Sequence, residues 1–107
     1  MQKSRKLSNL LEINEFKIRV RDWLTPKGFK EIYSNNHPTP DNVRIDYIKG
    51  NIRVQCFKKG VETYCRLSYT VHSKLPCSLI SVRLGIETEM LDVSLQNFKD
   101  TIEHFKQ

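Results

Sequence analysis

Residues Val43 to His72 read VRIDYIKGNIRVQCFKKGVETYCRLSYTVH, and this stretch decides the fold. Three runs within it alternate apolar and polar residues: Val43 to Ile48, Asn51 to Lys58 and Val61 to His72. A period of two marks strands with one face buried and the other in water. The runs are joined by Lys49-Gly50 and Lys59-Gly60, and a two-residue connection containing glycine is a hairpin signal. The stretch therefore predicts an antiparallel meander.

Upstream, Phe29 to Tyr33 reads as a short strand, followed by Ser34 to Asn42 (SNNHPTPDN), whose prolines and turn formers predict an exposed loop. Downstream, Ser73 to Ser78 (SKLPCS) breaks the alternation. Leu79 to Ile86 then gives one more strand, with Ile80, Val82, Leu84 and Ile86 in one phase.

A helix is expected on each side of these strands. In the first, Asn9 to Leu24, Leu10, Ile13, Phe16, Val20, Trp23 and Leu24 fall on one face, and Asn9 with Glu12 has the spacing of a capping box. Phe16 to Arg21 also alternates with period two, which makes a strand the alternative there. Pro26 and Gly28 end the helix. The last helix, Ser94 to Lys106, carries Leu95, Phe98, Ile102 and Phe105 as its stripe, with Val93 and Phe98 stapling a Ser94 cap. Two amphipathic helices need one apolar surface, and an antiparallel sheet supplies it on one face. The expected fold is α+β: a meander of four to five strands with N- and C-terminal helices packed on one side.

Strand phase then sorts the side chains. Val43, Ile45, Tyr47, Ile52, Val54, Cys56, Val61, Cys65, Leu67, Tyr69 and Val71 are expected to face the helices. The other face receives Arg44, Asp46, Ile48, Arg53, Gln55, Phe57, Tyr64, Arg66, Ser68, Thr70 and His72, joined by Ser81 and Arg83. With Lys49-Gly50 and Lys59-Gly60 as the turns, Asp46 opposes Arg53, Gln55 opposes Tyr64, and Arg53 opposes Arg66. Like charges directly opposite on a sheet are destabilising, so the face has an excess of guanidinium groups that an anion would complete, and arginine's planar fork suits phosphate. Phe57 and Tyr64, diagonal in this register, add surfaces on which bases stack. The candidate site is Arg44, Arg53, Arg66, Arg83, Phe57, Tyr64 and Gln55, with nucleic acid as its expected partner. The alternative is an acidic protein surface, met by an inhibitor, chaperone or immunity-like module. Arginine and aromatic residues also suit a homodimer interface. An ordinary solvated face, with arginine stems laid over the sheet, is the plainest reading.

The bulk composition agrees. The chain has 107 residues, 38% hydrophobic and 28% charged, which suits one soluble domain over 1–107 with a flexible basic tip at 1–6. The formal net charge of +6 is unevenly placed: residues 1 to 86 hold the basic excess and residues 87 to 107 an acidic one, which favours an anionic partner for the first part. No apolar run is long enough to span a bilayer and the N-terminal residues do not form a secretory signal, so cytoplasmic residence with no membrane partner is expected.

Enzymatic readings find little support. The sequence lacks the phosphate-loop, dinucleotide, zinc-protease and nucleophile-elbow motifs. Cys56, Cys65 and Cys77 have neither zinc nor disulfide spacing, and the first two fall in apolar phases as small buried hydrophobes. A Cys77–His72 nucleophile–base pair has no orienting third residue, and His37, His72 and Cys77 match no metal frame. His37 reads as an ordinary loop residue, and His104 lies off the last helix's apolar stripe. The chain is expected to be non-enzymatic, with no cofactor and no metal.

Overall fold

A computed structural model describes residues 2–69, 80–83 and 88–106, with side chains placed for 10–69 and 91–104. The order is α1 (Gln2–Leu24), β1 (Lys30–Ser34), β2 (Val43–Lys49), β3 (Ile52–Lys59), β4 (Glu62–Tyr69), β5 (Ile80–Arg83) and α2 (Thr88–Lys106). The strands form an antiparallel sheet in the order β1-β2-β3-β4-β5, a simple meander. The fold is α+β, as the alternation implies.

Both helices pack on the same face. Ile13, Phe16, Val20, Trp23 and Leu24 of α1 join Leu91, Leu95, Phe98 and Ile102 of α2 in one buried cluster with Val43, Ile45, Tyr47, Val54, Cys56, Cys65, Leu67 and Tyr69. All eight strand residues belong to the phase that alternation assigns to the helices. Val61 does not join them; it lies in a turn and is fully exposed.

Both helices begin earlier than expected. α1 starts at Gln2 and runs through Asn9, so Asn9 is an interior helical residue rather than the first-turn boundary expected of a cap. At 23 residues α1 is about 35 Å long; Leu10 and Leu11 are exposed, and core contact begins at Ile13. α2 starts at Thr88, which places Ser94 inside the helix and leaves Val93 exposed, so the expected Ser94 cap and its staple do not form. The earlier start extends the buried stripe back to Leu91.

The end of α1 follows the expectation. After Leu24 the chain tightens into a 3-10 turn over Thr25–Lys27, with Pro26 at its start. Gly28, at φ 91°, closes it by donating its N–H to the Thr25 carbonyl. A left-handed residue there favours glycine, and the reversal delivers Phe29 to the core.

The hairpin register is two residues away from the expected one. Lys49 pairs with Ile52 and Lys59 with Glu62, so the turns are Gly50-Asn51 and Gly60-Val61. The glycines have φ of 60° and 62°. A primed hairpin turn needs positive φ at its first central position, which glycine accepts without a steric penalty; glycine thus stands first in each turn, and the preceding lysine completes the strand. Because the slip is even, every residue keeps its face and only its neighbours change.

No helix among the described residues is long and apolar enough to cross a membrane. Thr70, Val71, His72, Cys77, Leu84, Ile86 and the Ser73 to Ser78 connection lie outside the described residues, and so does the Cys77–His72 pairing.

Candidate nucleic-acid interface

The observed register arranges the outer face in rows across the sheet. Arg44, Phe57, Tyr64 and Arg83 are successive partners from β2 to β5 and form one row. The next row is Tyr33, Asp46, Gln55, Arg66 and Ser81. Arg53 lies opposite Ser68 and Ile48, not opposite Arg66. The expected Arg53–Arg66 repulsion is therefore absent; Arg66 opposes Gln55.

Asp46 organises the middle of this face. Its side chain is 0% exposed although it points away from the helices. It is covered by two arginines: Arg44 donates from Nε to Oδ1 at 3.2 Å and from Nη2 to Oδ2 at 3.0 Å, and Arg53 donates from Nη2 to Oδ2 at 2.6 Å. A buried carboxylate requires such partners, because burial without them is costly. Arg44 reaches Asp46 from two positions along the same strand and Arg53 from the diagonal on β3. The hydrogen bond from Arg44 to Asp46 is also the leading reason the Arg44 guanidinium is held protonated more firmly than usual. Asp46 opposes Gln55 and not Arg53 as expected, yet it meets Arg53 on the diagonal and serves Arg44 as well. The Nε of Arg53 is buried and has no hydrogen-bond partner among the described residues.

The aromatic residues form a second layer of order. Phe57 and Tyr64 are direct cross-strand partners, stacked with centroids 5.0 Å apart and planes 15° apart. They are not diagonal, and the ring faces they share are closed to a base. Arg44, Arg66 and Lys59 all approach Phe57, at 5.4, 5.8 and 5.9 Å from the ring centroid. Arg44 also lies 4.9 Å from the centroid of Tyr33, so its guanidinium is held between Tyr33 and Phe57.

Two contributors escaped the sequence. Tyr33 reaches this face because β1 bulges between Glu31 and Tyr33: Ile32 is left out of the ladder and Tyr33 pairs with Asp46. Regular alternation from Lys30 would turn Tyr33 the other way, and no residue type announces the bulge. Lys59 was assigned to a turn; with glycine first in the turn it becomes a strand residue in phase with Phe57. The glycine-first rule was the available signal.

The loop before β2 fixes the backbone of Arg44. Asn35 accepts the Arg44 N–H at Oδ1 (3.0 Å) and donates its Nδ2 to the Asn42 carbonyl (3.0 Å), while its own N–H meets the Arg44 carbonyl (3.2 Å). Lys58 ties the same loop to the β3–β4 turn by donating to the carbonyls of Pro40 and Gly60.

On this phase the strands whose side chains are described, β1 to β4, carry Lys30, Arg44, Arg53, Lys59 and Arg66 against Asp46 and Glu62. Asp46 is hidden beneath guanidinium groups, so the centre of the face presents positive charge outward. The backbone of Arg83 lies opposite Tyr64, which keeps it in register with the site, and its side chain is outside the description. Gln55 sits half-buried between Asp46 and Arg66 in the second row.

Other chemistry is sparse. No group of three metal-binding side chains occurs among the described residues. Burial pushes the Cys65 thiol up to about 12 and the Cys56 thiol well above its ordinary value; both stay protonated at neutral pH and serve as packing. His37 and His104 are exposed. No protein-family model matches the chain, and no curated protein or solved structure matches it either.

Proposed function

We propose that this chain is a non-enzymatic binding module that holds a nucleic-acid strand against the outer face of its sheet. The observation that carries the reading is the cluster of Arg44, Lys59 and Arg66 around the Phe57 ring, on a face that neither helix covers. Arg66 and Lys59 are exposed and have no ion-pair partner among the described residues, so they are the groups free to meet phosphates. Arg44 and Arg53, anchored on Asp46, add a fixed positive floor. An open sheet with cations beside aromatic rings suits a single strand, whose backbone follows the charge while its bases are available for stacking. A duplex would instead call for an element that enters a groove.

The test is fluorescence anisotropy with a labelled single-stranded oligonucleotide across a salt series. Affinity should fall steeply with salt, and Lys59→Ala with Arg66→Ala should weaken binding and lower the salt slope by roughly 1 to 2. Lys99→Ala, on α2, should change neither. Binding that survives high salt, or that ignores the double substitution, overturns the reading. A single stoichiometric protein retained at high salt after nuclease treatment would mark the face as a protein interface instead.

A further inference from the structure

We infer that Tyr33 is the seat for one unpaired base, stacked on the ring face opposite Arg44; this rests on the reading that the outer face holds nucleic acid. Three observations single out this ring. First, the bulge at Ile32 turns Tyr33 onto the charged face, as bulges at sheet edges characteristically re-aim a side chain. Second, β1 is the edge strand, so among the described residues no strand lies beyond it on that side. Tyr33 as a whole is 44% exposed, and the Arg44 guanidinium lies against its ring. Third, the platform is braced from behind. Arg44 is gripped by buried Asp46 through two hydrogen bonds and backed by Phe57, so the guanidinium beneath Tyr33 is fixed before any ligand arrives.

The other two rings are less suited. Phe57 and Tyr64 spend a face each on one another, and cations crowd Phe57 further. Tyr33 alone among the three combines an open position with a cation on its far side. Stacking there needs no hydrogen bond to a base edge, so it is tolerant of sequence, and it requires a base already free of a duplex. The phosphates on either side of that base fall toward the cationic centre of the sheet.

The experiment compares a labelled thymidine oligonucleotide of about twelve nucleotides with an abasic deoxyribose-phosphate strand of equal length at one salt concentration. Wild-type protein should bind the base-bearing strand roughly ten-fold more tightly. Tyr33→Ala should bring that ratio to about one without changing affinity for the abasic strand, and Tyr33→Phe should preserve it. An unchanged thermal melt would show that Tyr33→Ala is folded. If Tyr33→Ala weakens both strands equally, or leaves the ratio intact, the inference is overturned while salt-dependent binding of both strands keeps the polyanion reading. If the wild-type protein binds neither strand, both fall.

Discussion

The indole of Trp23 donates its Nε1–H to Oδ1 of Asp92 at 2.7 Å, joining the last turn of α1 to the first turns of α2. Lys27 completes the junction: its ammonium lies 3.1 Å from the same carboxylate oxygen and donates to the Trp23 carbonyl at 2.9 Å. Trp23 is buried, and its N–H would lose its recorded partner if Asp92 were truncated. Helices distant in sequence thus share one polar clasp at the edge of the core.

Asp92→Ala should therefore destabilise the protein by about 1 kcal/mol, with the partial exposure of the carboxylate limiting the effect. Asp92→Asn, which keeps an acceptor, should cost less. Urea unfolding followed by the fluorescence of Trp23, the single tryptophan, measures both. Burial alone would raise the Asp92 carboxyl, but the hydrogen bonds from Trp23 and Lys27 outweigh it and hold it below its ordinary value. A depressed folded value means that the ionised form favours folding. The advantage of wild type over Asp92→Asn should be constant above about pH 4 and fade as pH falls through the folded value. An advantage that grows on acidification would contradict the clasp.

Gly50 gives a test of the turn geometry. Its φ is 60°, and an added Cβ would meet nothing within 4 Å, so the cost of a side chain there is backbone strain alone. Gly50→Ala should lower stability by about 1 kcal/mol, while Gly50→Asn, which tolerates the left-handed region better, should recover much of that loss. Thermal unfolding of the two variants distinguishes strain from crowding. Equal losses in both would remove the explanation.

The buried thiols provide a chemical test. In a Cys77→Ser background, Cys56 and Cys65 should resist a thiol reagent at pH 8 until denaturant unfolds the chain, because burial keeps both protonated and out of reach. Their raised folded values favour folding fully below the unfolded thiol value of about 8.5. This contribution declines as pH climbs from there toward the Cys65 value of about 12. Wild type should therefore lose stability over this alkaline range more steeply than a Cys56→Ala, Cys65→Ala variant, as read by urea midpoints. Rapid labelling of the folded protein would contradict this packing role.

Faces were more legible in the sequence than neighbours. Alternation depends only on parity, so Ile45, Val54, Cys65 and Leu67 go to the core under either hairpin register. Register depends on which residue takes the positive φ, and placing Gly50 and Gly60 second in their turns paired Arg53 with Arg66, whereas the chain pairs Arg53 with Ser68 and Arg66 with Gln55. Helix starts were obscured for a related reason. Asn9 and Ser94 are residue types that cap helices, yet such residues also occupy helix interiors when the pattern continues past them. Leu91 was that continuing pattern in α2. Tyr33 was hidden by a bulge, which arises from how β1 meets β2 and leaves no compositional mark on either strand.

The bulge at Ile32 also governs what happens to the sheet as a template. An incoming extended chain would have to match evenly spaced backbone donors and acceptors, but the edge is only five residues long, is interrupted in its middle and begins with Lys30 and Glu31. Short, charged and irregular edges oppose strand addition. The same displaced residue that brings Tyr33 onto the charged face thus protects that side of the molecule from polymerising through its own backbone.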